Sequence, residues 1–270
     1  MNVLQALILG IVQGLTEFLP VSSTGHLVLV PYILGWDAPS TTFDLMLHAG
    51  TLVAVLAYFW RDILDIILAF GRHNEAAMVK RRVGLFLLIG TVPAAVIGGA
   101  LESKFEEFFG EPGWVAFFMI ITGVLLVASH VVSGKRALTG RNVAQMKLSD
   151  ALAIGFAQAV AILPGISRSG STISTGLFLG MKRETAAHYS FLLSIPIIAG
   201  ATVWKLRHGF GDGTGTGVAT MVTGFIFAAL SGFFAIKFLL GYVRQHSLVI
   251  FAIYCWVVGG LVLLGILITG

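Results

Sequence analysis

Apolar residues along this chain fall into long runs separated by short charged loops. Six runs, near 43–60, 83–101, 114–133, 185–206, 217–240 and 248–269, approach the about 20 apolar residues that carry a helix across a bilayer core. Two further regions, roughly 3–35 and 150–180, are as apolar but are interrupted by LPVSSTGH (19–26) and LPGISRSGST (163–172). Neither half of such a region is long enough to cross alone. Each pair is expected to enter the membrane, turn, and leave on the side it came from. The pattern predicts an all-α polytopic membrane protein, residues 1–270 forming one integral membrane domain of six transmembrane helices and two re-entrant helical hairpins.

Composition supports this. The chain is 57% hydrophobic and only 11% charged, against roughly 25% charged in soluble domains. The net charge of +4 does not mark a nucleic-acid binder, because most of the positive charge sits in short loops, where it sets topology. Loop 61–82 holds Arg61, Arg72, Lys80, Arg81 and Arg82. Loop 102–113 holds four glutamates against Lys104, and loop 134–149 holds Lys135, Arg136, Arg141 and Lys147. By Lys and Arg alone these three read inside, outside, inside. Region 150–180 then begins inside and is followed by Lys182 and Arg183, as a re-entrant hairpin from the cytoplasm requires. The loop near 205–212 falls outside, against which Lys205 and Arg207 count. No Lys or Arg precedes Arg61, so the apolar N-terminal segment lacks the basic start of a signal peptide and is expected to stay on the mature protein. The single Cys255, in FAIYCWVV, excludes a disulfide framework and reads as a small apolar residue.

The two interrupted regions resemble each other. Shifted by 145 residues, ALILGIVQ (6–13) lies over ALAIGFAQ (151–158), Ser22 over Ser167 and Gly25 over Gly170. Each copy is followed by three spans. Three is odd, so the second half (about 150–270) is inverted relative to the first (about 1–133), with 134–149 as the cytoplasmic link. Inverted repeats with broken helices bind their ligands at the repeat interface.

The breaks also carry the chemistry. Glu17 is the first acid of the chain, inside an otherwise apolar helix and four residues from Gln13, on the same helical face. An intramembrane carboxylate needs a partner, and Arg168 in the second break is the obvious one. Arg168 offers a planar fork of donors suited to phosphate oxygens. Around it, Ser167, Ser169, Ser171 and Thr172 add short donors, Gly170 admits close backbone approach, and Pro164 and Gly165 are expected to stop the first half-helix. The half-helix that follows presents free N–H groups and a positive dipole end to an anion. Ser174, deeper in that helix, is expected to bond its own backbone. In the first break, Ser22, Ser23 and Thr24 lie beside His26, a candidate catalytic base. His48, in LMLHAGTLV, is either a neighbour of the site or a core histidine; His130, His188, His208 and His246 lie near span ends, and His73 in a loop. This set suits hydrolysis of a phosphate ester or anhydride. Glu17 and Arg168 cancel in charge, so a divalent cation, with Glu17 as its protein ligand and Gln13 as a neutral helper, is expected to bridge protein and diphosphate.

At this point the chain resembles the undecaprenyl-diphosphatases, the bacitracin-resistance family of bacterial membrane phosphatases. The resemblance rests on an (E/Q)xxxE helix, here QGLTE (13–17), leading to PVSSTGH (20–26), and on PGxSRSxxT, here PGISRSGST (164–172). It implies removal of the terminal phosphate of undecaprenyl diphosphate, which recycles the lipid carrier of peptidoglycan synthesis and confers bacitracin tolerance. It further implies Mg²⁺ or Ca²⁺ dependence, location in the bacterial inner membrane, and a site open to the extracytoplasmic face. Gln13 stands where many members have Glu, so metal binding is expected to be weaker or wetter. Mapped onto these positions, Arg168, Ser167, Ser169, Thr172 and the helix N–H groups, with Ser22, Thr24, Gly165 and Gly170 beside them, hold the diphosphate. Ser23 is then the nucleophile with His26 as its base, or else water attacks directly with His26 or Glu17 as base.

A different class, a secondary transporter or lipid flippase, is also compatible with an inverted repeat. The type-2 phosphatidic acid phosphatase pattern is excluded: no His follows Arg168 before His188, and STGH lacks the preceding proline. Gly98-Gly99 and Gly259-Gly260 mark candidate close helix contacts, within one chain or between two copies of a homodimer.

Overall fold

The structure, a computed structural model, describes the backbone of residues 1–207 and 217–269, and the side chains of these except 102–107, 109, 206 and 269. His208 and most of the loop assigned to 205–212 lie outside the described residues. The fold is helical: α1 (Val3–Phe18), α2 (Ser23–Leu34), α3 (Thr41–Tyr58), α4 (Trp60–Ala69), α5 (Glu75–Phe109), α6 (Pro112–Ser133), α7 (Arg136–Thr139), α8 (Leu148–Val160), α9 (Arg168–Phe178), α10 (Arg183–Arg207), α11 (Val218–Tyr242) and α12 (Val249–Thr269). Among the described residues six helices are long and apolar enough to cross a membrane, and they lie where the apolar runs place them. The interrupted regions are the short pairs α1–α2 and α8–α9, each helix packed on its partner.

The pairs break for local reasons. Pro20 has no N–H and holds Leu19 extended (φ −67°, ψ 142°), so α1 ends at Phe18. Ser22 then takes a φ of +70°, a left-handed value uncommon for a residue with a Cβ. It turns the chain and caps α2, its Oγ accepting from Gly25 N–H at 3.2 Å. In the second pair Pro164 does not itself stop the helix. α8 ends four residues earlier, at Val160, because its last turn tightens into short-range bonds, Ile162 N–H to Ala159 O and Leu163 N–H to Val160 O. Gly165, at φ +100°, completes the turn. Ser167 caps α9 as Ser22 caps α2, accepting from Gly170 N–H at 3.0 Å. The breaks are therefore shorter than LPVSSTGH and LPGISRSGST. Ser23, Thr24, His26, Arg168, Ser169, Gly170 and Thr172 stand in the first turns of the second half-helices.

Loop 61–82 is more ordered than its charge predicts. It contains α4 and the start of α5, which Asn74 caps through Ala77 N–H at 2.8 Å, and a Lys80–Asp65 ion pair ties the two together. With no breaker before it, α5 begins at Glu75, ahead of its apolar run, and extends past it.

Helix pairing is exchanged between the two halves: α1 packs on α11, and α8 on α5. Gly10 and Gly14 on α1 form a G-xxx-G face. A Cβ at Gly10 would lie 2.6 Å from Gly224 O, and one at Gly14 would lie 2.4 Å from Ala228 O. Gly155, the repeat-mate of Gly10, meets α5 in the same way, its Cβ position 2.4 Å from Gly90 O. α6 and α12 then pack on each other, with Gly259 against Ala116 O and Gly123 against Trp256. Of the four glycines marked for close contacts, Gly259 and Gly98 meet neighbours within the chain, whereas Gly99 and Gly260 have nothing within 4 Å among the described residues.

Gly155→Ala places a methyl against the α5 backbone, and a cost of about 1–3 kcal/mol is expected. Thermal unfolding in detergent checks this. A lowered Tm is expected for Gly155→Ala, and an unchanged or raised one for Gly260→Ala, which meets nothing.

Candidate active site

The two breaks meet at a buried ion pair. Glu17, in the last turn of α1, and Arg168, the first residue of α9, are 151 positions apart, and Arg168 Nη2 donates to Glu17 Oε1 at 3.3 Å. Their side chains are 6% and 15% exposed. Arg168 Nη1 donates to Ser190 O on α10 at 3.2 Å. Its Nε is buried without a hydrogen-bond partner among the described residues, so part of the fork remains uncommitted.

The carboxylate divides its two oxygens. Oε1 faces the arginine, while Oε2 accepts from Ser23 Oγ at 2.6 Å and from Gln13 Nε2 at 3.2 Å. His48 Nε2, reaching in from α3, stands 3.9 Å from the same Oε2. His48 is therefore a neighbour of the site. Ser23 gives its proton to Glu17 and not to His26. The His26 ring is held elsewhere: Nδ1 lies 2.7 Å from Ser22 O, and Nε2 lies 2.7 Å from Tyr254 Oη on α12. A carbonyl only accepts, so Nδ1 carries the hydrogen, and Nε2 accepts a hydrogen bond from the tyrosine hydroxyl. The two rings stack with centroids 5.6 Å apart.

The remaining candidates surround this centre. Ser169 Oγ donates to Leu19 O at 3.0 Å and so ties one break to the other, with Ser167 Oγ 3.2 Å away. Thr172 donates to Arg168 O and meets Ser190 Oγ at 2.6 Å, which fixes the arginine's helix. Thr24 pairs with Ser22 at 3.3 Å. Gly165 is placed by packing. A Cβ there would lie 2.3 Å from Val115 O, and its carbonyl accepts from Thr122 on α6 at 3.0 Å. Thr122 also accepts from Ser167 N–H at 3.0 Å. At the other break Cys255 on α12 points its thiol at Pro20 O, at 3.9 Å. Ser174, expected to bond its own helix, is buried with no partner among the described residues.

Both second half-helices, α2 and α9, begin at this centre, with Ser23 and Arg168 as their first residues. The first N–H groups of a helix have no partner within it, and its dipole is positive there. No cluster of three His, Cys, Asp or Glu side chains that could hold a metal ion occurs among the described residues. A divalent cation here would draw on Glu17 and on uncharged donor atoms. Gln13 supplies one, its Oε1 buried without a partner among the described residues beside Glu17. Such a set, completed by substrate phosphate oxygens, fits a hard divalent cation.

Sequence reasoning did not find Tyr254, Ser190 or Thr122. Each sits inside an apolar span with no local signal, and only the fold brings it to a break.

Six helices long and apolar enough to span, around a buried carboxylate–arginine pair, a hydroxyl on the carboxylate and two helix N-termini, define a polytopic membrane protein with a buried polar centre. The model of the bacitracin resistance protein BacA family matches residues 6–261, and the chain belongs to that family. It is 42% identical over 269 residues to an undecaprenyl-diphosphatase of Halothermothrix orenii, covering 98% of each chain. It is 43% identical to an undecaprenyl-diphosphatase of Geobacter sulfurreducens, covering 97% of this chain and 98% of that one. With one of Rubrobacter xylanophilus it shares 43% identity over 97% of both chains.

Glu17→Ala strands a buried arginine, and a loss of about 3–5 kcal/mol is expected. Adding Arg168→Ala removes the stranded charge, so the double variant is expected to lose clearly less than the sum of the singles. Chemical unfolding in detergent micelles reads this. Strict additivity means that the two side chains are not coupled.

Proposed function

We propose that this chain is an undecaprenyl-diphosphatase that hydrolyses undecaprenyl diphosphate to undecaprenyl phosphate and inorganic phosphate, recycling the lipid carrier and conferring bacitracin resistance. The observation that carries this is the Ser23 hydroxyl bonded at 2.6 Å to a buried carboxylate that also pairs with Arg168. Family membership and relatives bearing that name across the whole chain support it. A transporter needs a coupling-ion site but no hydroxyl held on a buried carboxylate.

Arg168, with its uncommitted Nε, and the first N–H groups of α9 hold the diphosphate oxygens; Ser167, Ser169 and Thr172 shape that cradle. Ser23 Oγ attacks the terminal phosphorus, Glu17 Oε2 takes its proton, and the bond to the bridging oxygen breaks, its electrons leaving with undecaprenyl phosphate. Water then attacks the phosphoserine. His26 Nε2, released from Tyr254, accepts the water proton, and Ser23 regains its own from Glu17. Glu17 and Gln13 would hold Mg²⁺ or Ca²⁺, which when bound supplies charge neutralisation to the diphosphate. The protein works in the bacterial inner membrane with this site toward the extracytoplasmic face. The Lys and Arg content of loops 61–82 and 134–149 supports that orientation.

Phosphate release from a polyprenyl diphosphate by purified protein tests the reading. Wild type is expected to release phosphate. Arg168→Ala is expected to fall by about 10²–10³-fold, as when one transition-state donor is removed, and Ser23→Ala to fall at least as far. Folded wild type that releases none with any chain length contradicts it.

A further inference from the structure

One ring nitrogen of His48 is bonded within its own helix, and the other makes no hydrogen bond among the described residues. Its Nδ1 lies 2.8 Å from the carbonyl of Asp44, one turn back on α3. That oxygen only accepts, so Nδ1 carries the hydrogen, which leaves Nε2 as the ligating atom when the ring binds a cation. Nε2 lies 3.9 Å from Glu17 Oε2, beyond hydrogen-bond reach. Two atoms able to ligate a cation thus stand close together, on side chains 27% and 6% exposed.

Gln13 repeats the pattern. In one orientation its amide donates to Glu17 Oε2 at 3.2 Å and leaves Oε1 buried and unpartnered among the described residues. A half-turn about the Cγ–Cδ bond brings the oxygen to the carboxylate instead, lone pair against lone pair. Either way an oxygen of Gln13 lacks a positive partner. Ligand atoms on one cation, with bonds of about 2.0–2.2 Å, lie no more than ~4.4 Å apart. Both 3.9 Å and 3.2 Å satisfy that limit. We infer that His48 Nε2, Glu17 Oε2 and Gln13 Oε1 together hold the divalent cation, on the side of the carboxylate turned away from Arg168, with the second lone pair of Oε2 kept for the Ser23 hydroxyl. This rests on the phosphatase reading, since it is that reaction's cation.

A nitrogen ligand changes the choice of ion. Oxygen-only sets suit Mg²⁺ and Ca²⁺, whereas imidazole shifts preference toward first-row transition metals. The mixed set favours Mn²⁺ over Ca²⁺. It also offers a reason why glutamine suffices at position 13: the imidazole supplies the donor that a second carboxylate would otherwise provide.

The test uses Mn²⁺ as the probe, at one equivalent, on purified full-length protein in detergent. Pulsed electron paramagnetic resonance detects ¹⁴N directly bonded to Mn²⁺. Wild type is expected to show that nitrogen coupling, His26→Ala to keep it, and His48→Ala and the similarly sized His48→Gln to lose it. Affinity in the two His48 variants is expected to fall at least about tenfold, the loss that even an outer-shell partner brings. Bound Mn²⁺ without nitrogen coupling in wild type, or coupling that survives in a folded His48 variant, overturns the assignment. Hydrolysis is measured on the same samples. Turnover without a nitrogen signal sinks the His48 assignment alone, and a nitrogen signal without turnover sinks the phosphatase reading alone.

Discussion

The structure depends on one contact, the buried Glu17–Arg168 pair that joins the two chain breaks. An isolated charge at this depth costs several kcal/mol, so neither side chain is tolerable without the other. The pair therefore fixes how the two short helix pairs meet. Other features serve it. Pro20 and the left-handed Ser22 end one helix and start the next beside Glu17. The turn at Gly165 does the same for Arg168, and α6 clamps that turn through Thr122. Close glycine crossings, Gly10 on Gly224 and Gly155 on Gly90, bring each first half-helix onto the other half of the molecule. The inward face of α1 then presents Gln13 and Glu17 to the centre.

From this follows an unequal carboxylate. Its Oε1 is committed to orienting Arg168, and its Oε2 to Ser23, Gln13 and the approach of His48. One oxygen holds the arginine, and the other holds the Ser23 hydroxyl. Arg168 is tolerated among apolar helices because it has a fixed counter-charge. The structure also separates Glu17 from His26. The histidine is held by Ser22 O and Tyr254, so the proton of Ser23 has a nearer acceptor than the one its proximity in sequence suggests.

Much of this is legible in the sequence because it is local. Spans announce themselves by length and hydropathy, and a lone acid and a lone arginine inside apolar segments announce a pair. The repeat shows as Gln13 over Gln158 and Ser22 over Ser167. What escapes is what depends on helix ends and on facing side chains. The break residues read as loop because Ser, Thr and Gly favour turns, yet a capping serine lets the following turn be helical, so Ser23 and Arg168 begin helices. α4 hides in a charged loop because its apolar face is short. Tyr254 and Thr122 carry no signal, since a polar residue in a span acquires a role only from the helix opposite.

The most direct measurement is a rapid chemical quench with polyprenyl diphosphate labelled in its terminal phosphate. If Glu17 activates Ser23 for attack, label accumulates on the peptide that contains Ser23 during the first turnover and is absent in Ser23→Ala. Turnover that releases free phosphate with no label on Ser23 at any time contradicts the account and leaves water as the attacking group.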